Sequence, residues 1–202
     1  MTNVRQIARQ RLSHELGYVQ KEWGGRIPIA IVYPNSYYIG MSNLGLQTVY
    51  SLFNAYPDFV CERAFYDPPK KGMPHPAPIV SMESQRPLGD FAVIAFTLSY
   101  EYDYFYMVQA LKSSGIPLWS EQRDDRHPLV IAGGACMLTN PAGVAPFIDA
   151  AVIGEGEEII PSLVGAFEDG LYGGRNELLD ELATLPGVYV PQRPPVGPIE
   201  RQ

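Results

Sequence analysis

Two apolar runs end in glycines: "LVIAGG" (Leu129–Gly134) and "AAVIGEGEE" (Ala150–Glu158), the second carrying Glu155, Glu157 and Glu158 on its far side. Glycine at a strand tip lets the backbone approach a flat or bulky ligand, and it equally makes tight turns, so both roles stay open for Gly133, Gly134, Gly154 and Gly156. They do not form a phosphate cradle: G-x-x-x-x-G-K-[ST] is absent, and no G-x-G-x-x-G opens a helix after the first strand. The glutamates suit the start of a helix and would repel phosphate, which argues against a nucleotide as the main ligand. First-turn stabilisation is their plainer role.

The other reactive side chains gather into no catalytic constellation. The two cysteines, Cys61 and Cys136, lie far apart without Cys-x-x-Cys spacing. A disulfide framework, a zinc site or an iron–sulfur cluster held by this chain alone is therefore disfavoured. Cys136 reads as a small residue packed beside the glycine pair. His14, His75 and His127 share no motif, and Ser36, Ser42 and Ser99 have no G-x-S-x-G setting. A phosphoacceptor site of the receiver type would need acidic residues after the first strand and an aspartate ending the central one, where this chain has "YPNSYY" and Thr97.

The chain around these residues alternates stretches of strand and helix character. "RIPIAIVYP" (Arg26–Pro34) is a nearly continuous β-branched run, as in a strand buried on both faces. A turn-like "NSYYIGMSN" follows, then a helix through "LGLQTVYSLFNAYP" ending at Pro57, then a strand from Phe59 to Phe65. "YDPPKKGMPHPAP" is a proline-rich loop and "IVSMES" a short edge strand. "DFAVIAFTLS" is a central strand, and the helix after it stops at Gly115 and Pro117. Strands Leu129–Ala132 and Ala150–Ile153 and a helix from about Glu155 to Phe167 complete the series. The rhythm predicts an α/β, flavodoxin-like (Rossmann-like), doubly wound and mostly parallel sheet of about five strands with flanking helices.

Length and composition agree with one such domain plus appended segments. The chain has 202 residues, 46% of them hydrophobic and 18% charged. Fifteen Lys+Arg against 22 Asp+Glu give a net charge of −7 with no basic run, which argues against a nucleic-acid surface. The opening "MTNVRQIARQRLSHELGYVQKEWGG" lacks the apolar core of a signal peptide and no stretch approaches a membrane span, so a cytoplasmic protein is expected. The expected division is an N-terminal helical segment (1–24), the α/β domain (25–170) and a C-terminal helix and linker (171–202), with "PGVYVPQRPPVGPIE" as the proline-rich linker.

In such sheets ligands bind beyond the carboxyl ends of the strands, near the point where strand order reverses. The candidate rim is then Asn35–Ser42, Thr97–Tyr102, Gly133–Met137 with Ala135 beside the glycine pair, and Gly154–Glu157. Tyr37, Tyr38, Tyr100 and Tyr102 would form a floor or wall, or simply pack at strand ends.

The blocks "RIPIAIVYPNSYYIGMSNLGLQTVYSLFN", "CERAF", "SMESQRPLGDFAVIAFTLSYEYDY", "PLVIAGGACMLTNPAGVAPFIDAAVIGEGEE" and "LATLPGVYVP", in that order, resemble the amino-terminal cobalamin-binding-like domain of radical S-adenosylmethionine (SAM) proteins. The resemblance implies strand tips that receive the corrin ring and nucleotide tail of cobalamin. It places Thr97 and Ser99 in the loop beside the tail, Gly133 and Gly134 as the pair that leaves room for it, and Gly154, Glu155, Gly156 and Glu157 in the last loop. The Asp-x-His-x-x-Gly motif that supplies a cobalt ligand is absent, and "DRHPLV" (Asp125–Val130) precedes the wrong strand, which leaves His127 incidental. The implied role is to hold a base-off corrinoid over a radical SAM barrel, in cis or in trans, whose Cys-x-x-x-Cys-x-x-Cys thiolates bind the [4Fe–4S] cluster that cleaves SAM. No cysteine follows Cys136, so the chain is not expected to be catalytic alone. The alternative is a docking module that kept the fold and lost the cofactor.

Overall fold

The structure, a computed structural model, describes residues 4–68 and 78–193. Five parallel strands run β1 (Ile27–Tyr33), β2 (Phe59–Phe65), β3 (Val93–Thr97), β4 (Leu129–Gly133) and β5 (Ala150–Val152), and a sixth, β6 (Val188–Tyr189), closes one edge antiparallel to β5. Their order is β2-β1-β3-β4-β5-β6, so the winding reverses between β1 and β3. This is the expected doubly wound, flavodoxin-like sheet.

Alternation explains the two layers. Ile29, Ile31, Val93, Ala95, Leu129 and Ile131 point to one face, where α1 (Val4–Leu12), α3 (Leu44–Ala55), α6 (Gly156–Gly170) and α7 (Arg175–Leu182) contribute to the core. Ala30, Val32, Ile94, Phe96, Val130 and Ala132 point to the other, covered by α4 (Asp103–Ser113) and α5 (Ala135–Thr139). Strands buried on both faces need the continuous apolar runs seen in the sequence.

Three segments differ from expectation. "NSYYIGMSN" contains the five-residue α2 (Tyr37–Met41), after which Asn43 caps α3 by accepting the Leu46 amide at 2.8 Å. "IVSMES" forms only the isolated bridges Ala64↔Ser81 and Val80↔Pro87, because Gln85 with φ 57° turns the chain back too soon for a ladder. "PGVYVP", expected in the linker, supplies β6: Gly187 with φ 75° reverses the chain and its carbonyl accepts the Ile153 amide at 2.7 Å. Pro191, two residues past β6, suits an edge strand. α6 also runs past Phe167 to Gly170. Most of the proline-rich loop (69–77, with His75) and the linker from 194 on lie outside the described residues. Among the described residues, no helix is long and apolar enough to cross a membrane.

Candidate functional site

A cavity of about 450 Å³ lies under the strand tips on the α3/α6 face. Register explains why it is open. Ile31, Ala95, Ile131 and Ala150 are cross-strand neighbours in one row, and Thr97, Gly133 and Val152 lie one row nearer the tips, so small side chains sit at the centre of both rows. α3 lines the cavity with Thr48 and Val49 near its mouth and Phe53 deeper, and α6 with Gly156 at the mouth and Ile160 and Leu163 deeper. Those spacings are helical, so one stripe of each helix faces the gap.

The structure brings Thr97, Gly133, Gly134, Ala135, Gly154, Glu155, Gly156 and Glu157 to this cavity. The glycines have different jobs. Gly133 faces open space: a Cβ there would meet nothing nearer than Val152 Cβ at 3.7 Å. Gly134 is demanded by the backbone, with φ 101° and ψ −178°, and a Cβ would lie 2.8 Å from the Leu98 carbonyl oxygen. Gly156 lets α6 approach α3, since its Cβ would stand 3.2 Å from Val49 Cγ2. Glu155 and Glu157 are exposed at the start of α6, and the N-cap Glu155 makes no side-chain cap bond.

Ser99, Tyr100 and Tyr37 lie elsewhere. Ser99 and Tyr100 line a separate recess of about 460 Å³ with Glu101, Tyr104, Cys136 and Asn140, and Ala135 borders both spaces. The Ser99 hydroxyl accepts from Asn43 Nδ2 at 3.2 Å, which bridges the loops after β1 and β3 at the switch point. The buried Asp103 carboxylate accepts the Ser99 and Tyr100 amides, both at 2.9 Å. Burial pushes that carboxyl up, and the two amides oppose the shift. Tyr37 is a structural post: its hydroxyl donates to Glu15 at 2.9 Å, and Glu15 also pairs with Arg63 at 2.7 Å. Burial raises the Tyr37 hydroxyl, and its contact with Glu15 raises it further.

The aromatic rim is broad. Tyr38, Leu44, Tyr100, Tyr102 and Phe105 are all exposed on the segments that follow β1 and β3. Sequence reading missed the hydrocarbon walls of the cavity; their trace in the sequence is the small residues Ala95, Thr97 and Gly133 in β3 and β4, of which Thr97 and Gly133 are cross-strand partners.

A second large recess, about 580 Å³, lies at the opposite, amino-terminal ends of the strands and includes His127. Its cations are already engaged. Arg26 donates to the Glu22 and Pro57 carbonyls, Arg126 pairs with Asp124, and Arg175 pairs with Asp149 at 2.6 Å. His127 pairs with Asp124, far from the glycine tips. Both cysteines are free and buried, and burial raises both thiols.

Comparison with known proteins places the chain in a family. A relative from Methanocaldococcus jannaschii, an uncharacterized protein, is 25% identical over 127 residues, which is 63% of this chain and 23% of that protein. The chain thus spans about a quarter of that relative's length. No solved structure matches the chain. The family described as "Radical SAM proteins, N-terminal" matches residues 45–191, and the chain belongs to it.

Proposed function

We propose that this chain is the corrinoid-holding module of a radical SAM protein, with the tail of a cobalamin seated in the cavity between α3 and α6. The observation that carries the reading is the small residues at the centre of two successive rows, Ala95 in one and Thr97 with Gly133 in the next, which leave ligand-sized space under the strand tips at the end of the sheet where such folds bind ligands. Ile31, Phe53 and Leu163 exclude water from the floor, Thr97 offers a hydroxyl at the tips, and the bare Cα of Gly133 keeps the entrance wide. Among the described residues no histidine stands at the tips, so the proposed binding is base-off without a protein ligand to cobalt. When bound, a corrinoid supplies a methyl or redox carrier. In this reading SAM and the [4Fe–4S] cluster belong to a radical SAM barrel that docks over the same rim, and this chain alone does no radical chemistry.

The exposed apron of Tyr38, Leu44, Tyr100, Tyr102 and Phe105 favours a second reading, a cofactor-free docking module. One experiment separates them. The purified chain is incubated with hydroxocobalamin and desalted, and its visible spectrum is recorded. The corrinoid reading expects about one retained corrinoid per chain with a base-off spectrum. A colourless protein fraction at cofactor concentrations well above micromolar would leave the docking reading.

A further inference from the structure

We infer that the same cavity selects the base on the corrinoid tail, accepting a benzimidazole and disfavouring a purine; the inference rests on the corrinoid reading. Polar groups gather at the mouth, where Thr48 and Thr97 are half-buried and Glu155 and Glu157 are exposed. The floor has none. Ile31, Phe53, Ala95, Ile131, Ile160 and Leu163 are all buried, and their side chains are hydrocarbon. The backbone beneath them is no help to a ligand, because the amides and carbonyls of β1, β3 and β4 are engaged in the parallel ladders.

The two bases differ in what they bring into such a floor. The outer edge of a benzimidazole is a benzo ring, which buries with nothing left unpaired. Adenine has a ring nitrogen acceptor and an exocyclic amine along the corresponding edge. Both would lose water there without gaining a partner. An apolar pocket rejects an unwanted polar group only moderately, so the expected discrimination is roughly ten- to a hundredfold.

The test compares three corrinoids on the full 202-residue chain: cobalamin with its dimethylbenzimidazole tail, adeninylcobamide, and tailless cobinamide. Dissociation constants are read by spectral titration. The expected order is cobalamin tightest, adeninylcobamide at least about tenfold weaker, and cobinamide weaker than cobalamin. Equal affinity for cobalamin and adeninylcobamide would overturn the selection while leaving the corrinoid reading intact. Cobinamide binding as well as cobalamin would overturn it by removing the tail from the cavity. Failure to bind any of the three would remove the corrinoid reading, and the selection with it.

Discussion

Gly133 and Gly134 are adjacent, yet alanine should act on them with opposite signs. At Gly134 the backbone holds φ 101° and ψ −178°, a region closed to residues with a Cβ, at a cost of about 1–3 kcal/mol. The new methyl would also lie 2.8 Å from the Leu98 carbonyl oxygen and 3.2 Å from the Leu98 nitrogen. Leu98 cannot give way easily: it is fully buried, its amide donates to the Gly133 carbonyl at 2.8 Å, and its carbonyl accepts the Cys136 amide at 3.1 Å. Overpacking of this kind adds about 1–3 kcal/mol. Gly134→Ala should therefore lose about 2–6 kcal/mol, or roughly 4–24 °C in melting temperature at about 2–4 °C per kcal/mol for a chain of this size. At Gly133 the φ is not positive and the methyl meets Val152 at an ordinary 3.7 Å. Gly133→Ala should be neutral or gain up to about 1 kcal/mol by restricting the unfolded chain. Urea and thermal melts followed by circular dichroism measure both. A Gly134→Ala variant within about 1 kcal/mol of wild type, or a Gly133→Ala variant the more damaged of the two, would refute the division of roles.

Asp149→Ala should cost about 3–5 kcal/mol in a urea melt, because it strands the fully buried Arg123 and removes the acceptor for Arg175 and for the Val130 amide; a loss under about 1 kcal/mol would contradict this. Burial, outweighing the contact with Arg63, pushes the Glu83 carboxyl up to about 7, above its ordinary 4.5. The folded state then keeps a proton that the unfolded chain has lost, so this group's contribution is full below about pH 4.5 and is lost as pH rises through about 7. Stability measured from pH 4 to 8 should show that decline in wild type and a shallower one in Glu83→Gln, and identical slopes would count against it. Tyr37→Phe removes the bond to Glu15 and should cost about 0.5–1.5 kcal/mol while leaving corrinoid retention unchanged. Lost retention in that variant would mean that Tyr37 reaches the ligand after all.

The sheet was legible because β1, β3 and β4 are buried on both faces and so appear as unbroken apolar runs. β6 was not, since a two-residue strand between Pro186 and Pro191 is too short to alternate and forms only because β5 offers it an edge. α2 was hidden for a similar reason: five residues bracketed by Ser36 and Ser42 look like a turn. At the candidate site the glycine-tipped strands pointed to the right end of the sheet. The sequence could not separate Gly133 from Gly134, because the difference lies in dihedral angles and in the approach of Leu98. Nor could it place Tyr37, whose partner Glu15 lies 22 positions away on the N-terminal segment. Ser99 sits two residues from Thr97, yet it turns toward Asn43 and the recess on the α4/α5 side. The cavity itself depends on cross-strand register, which no local pattern encodes.

Corrinoid binding in the cavity between α3 and α6 is tested by a spectral titration of wild type and Gly133→Leu with hydroxocobalamin, each first checked by circular dichroism. A Cβ at this position meets only Val152, at an ordinary 3.7 Å, and the rest of the leucine has the cavity to enter, so the fold should persist. Wild type should bind saturably near one corrinoid per chain and the variant at least about tenfold more weakly, since a filled pocket cannot bury the tail. Equal binding by a folded Gly133→Leu, or none by wild type, would contradict corrinoid binding in this cavity.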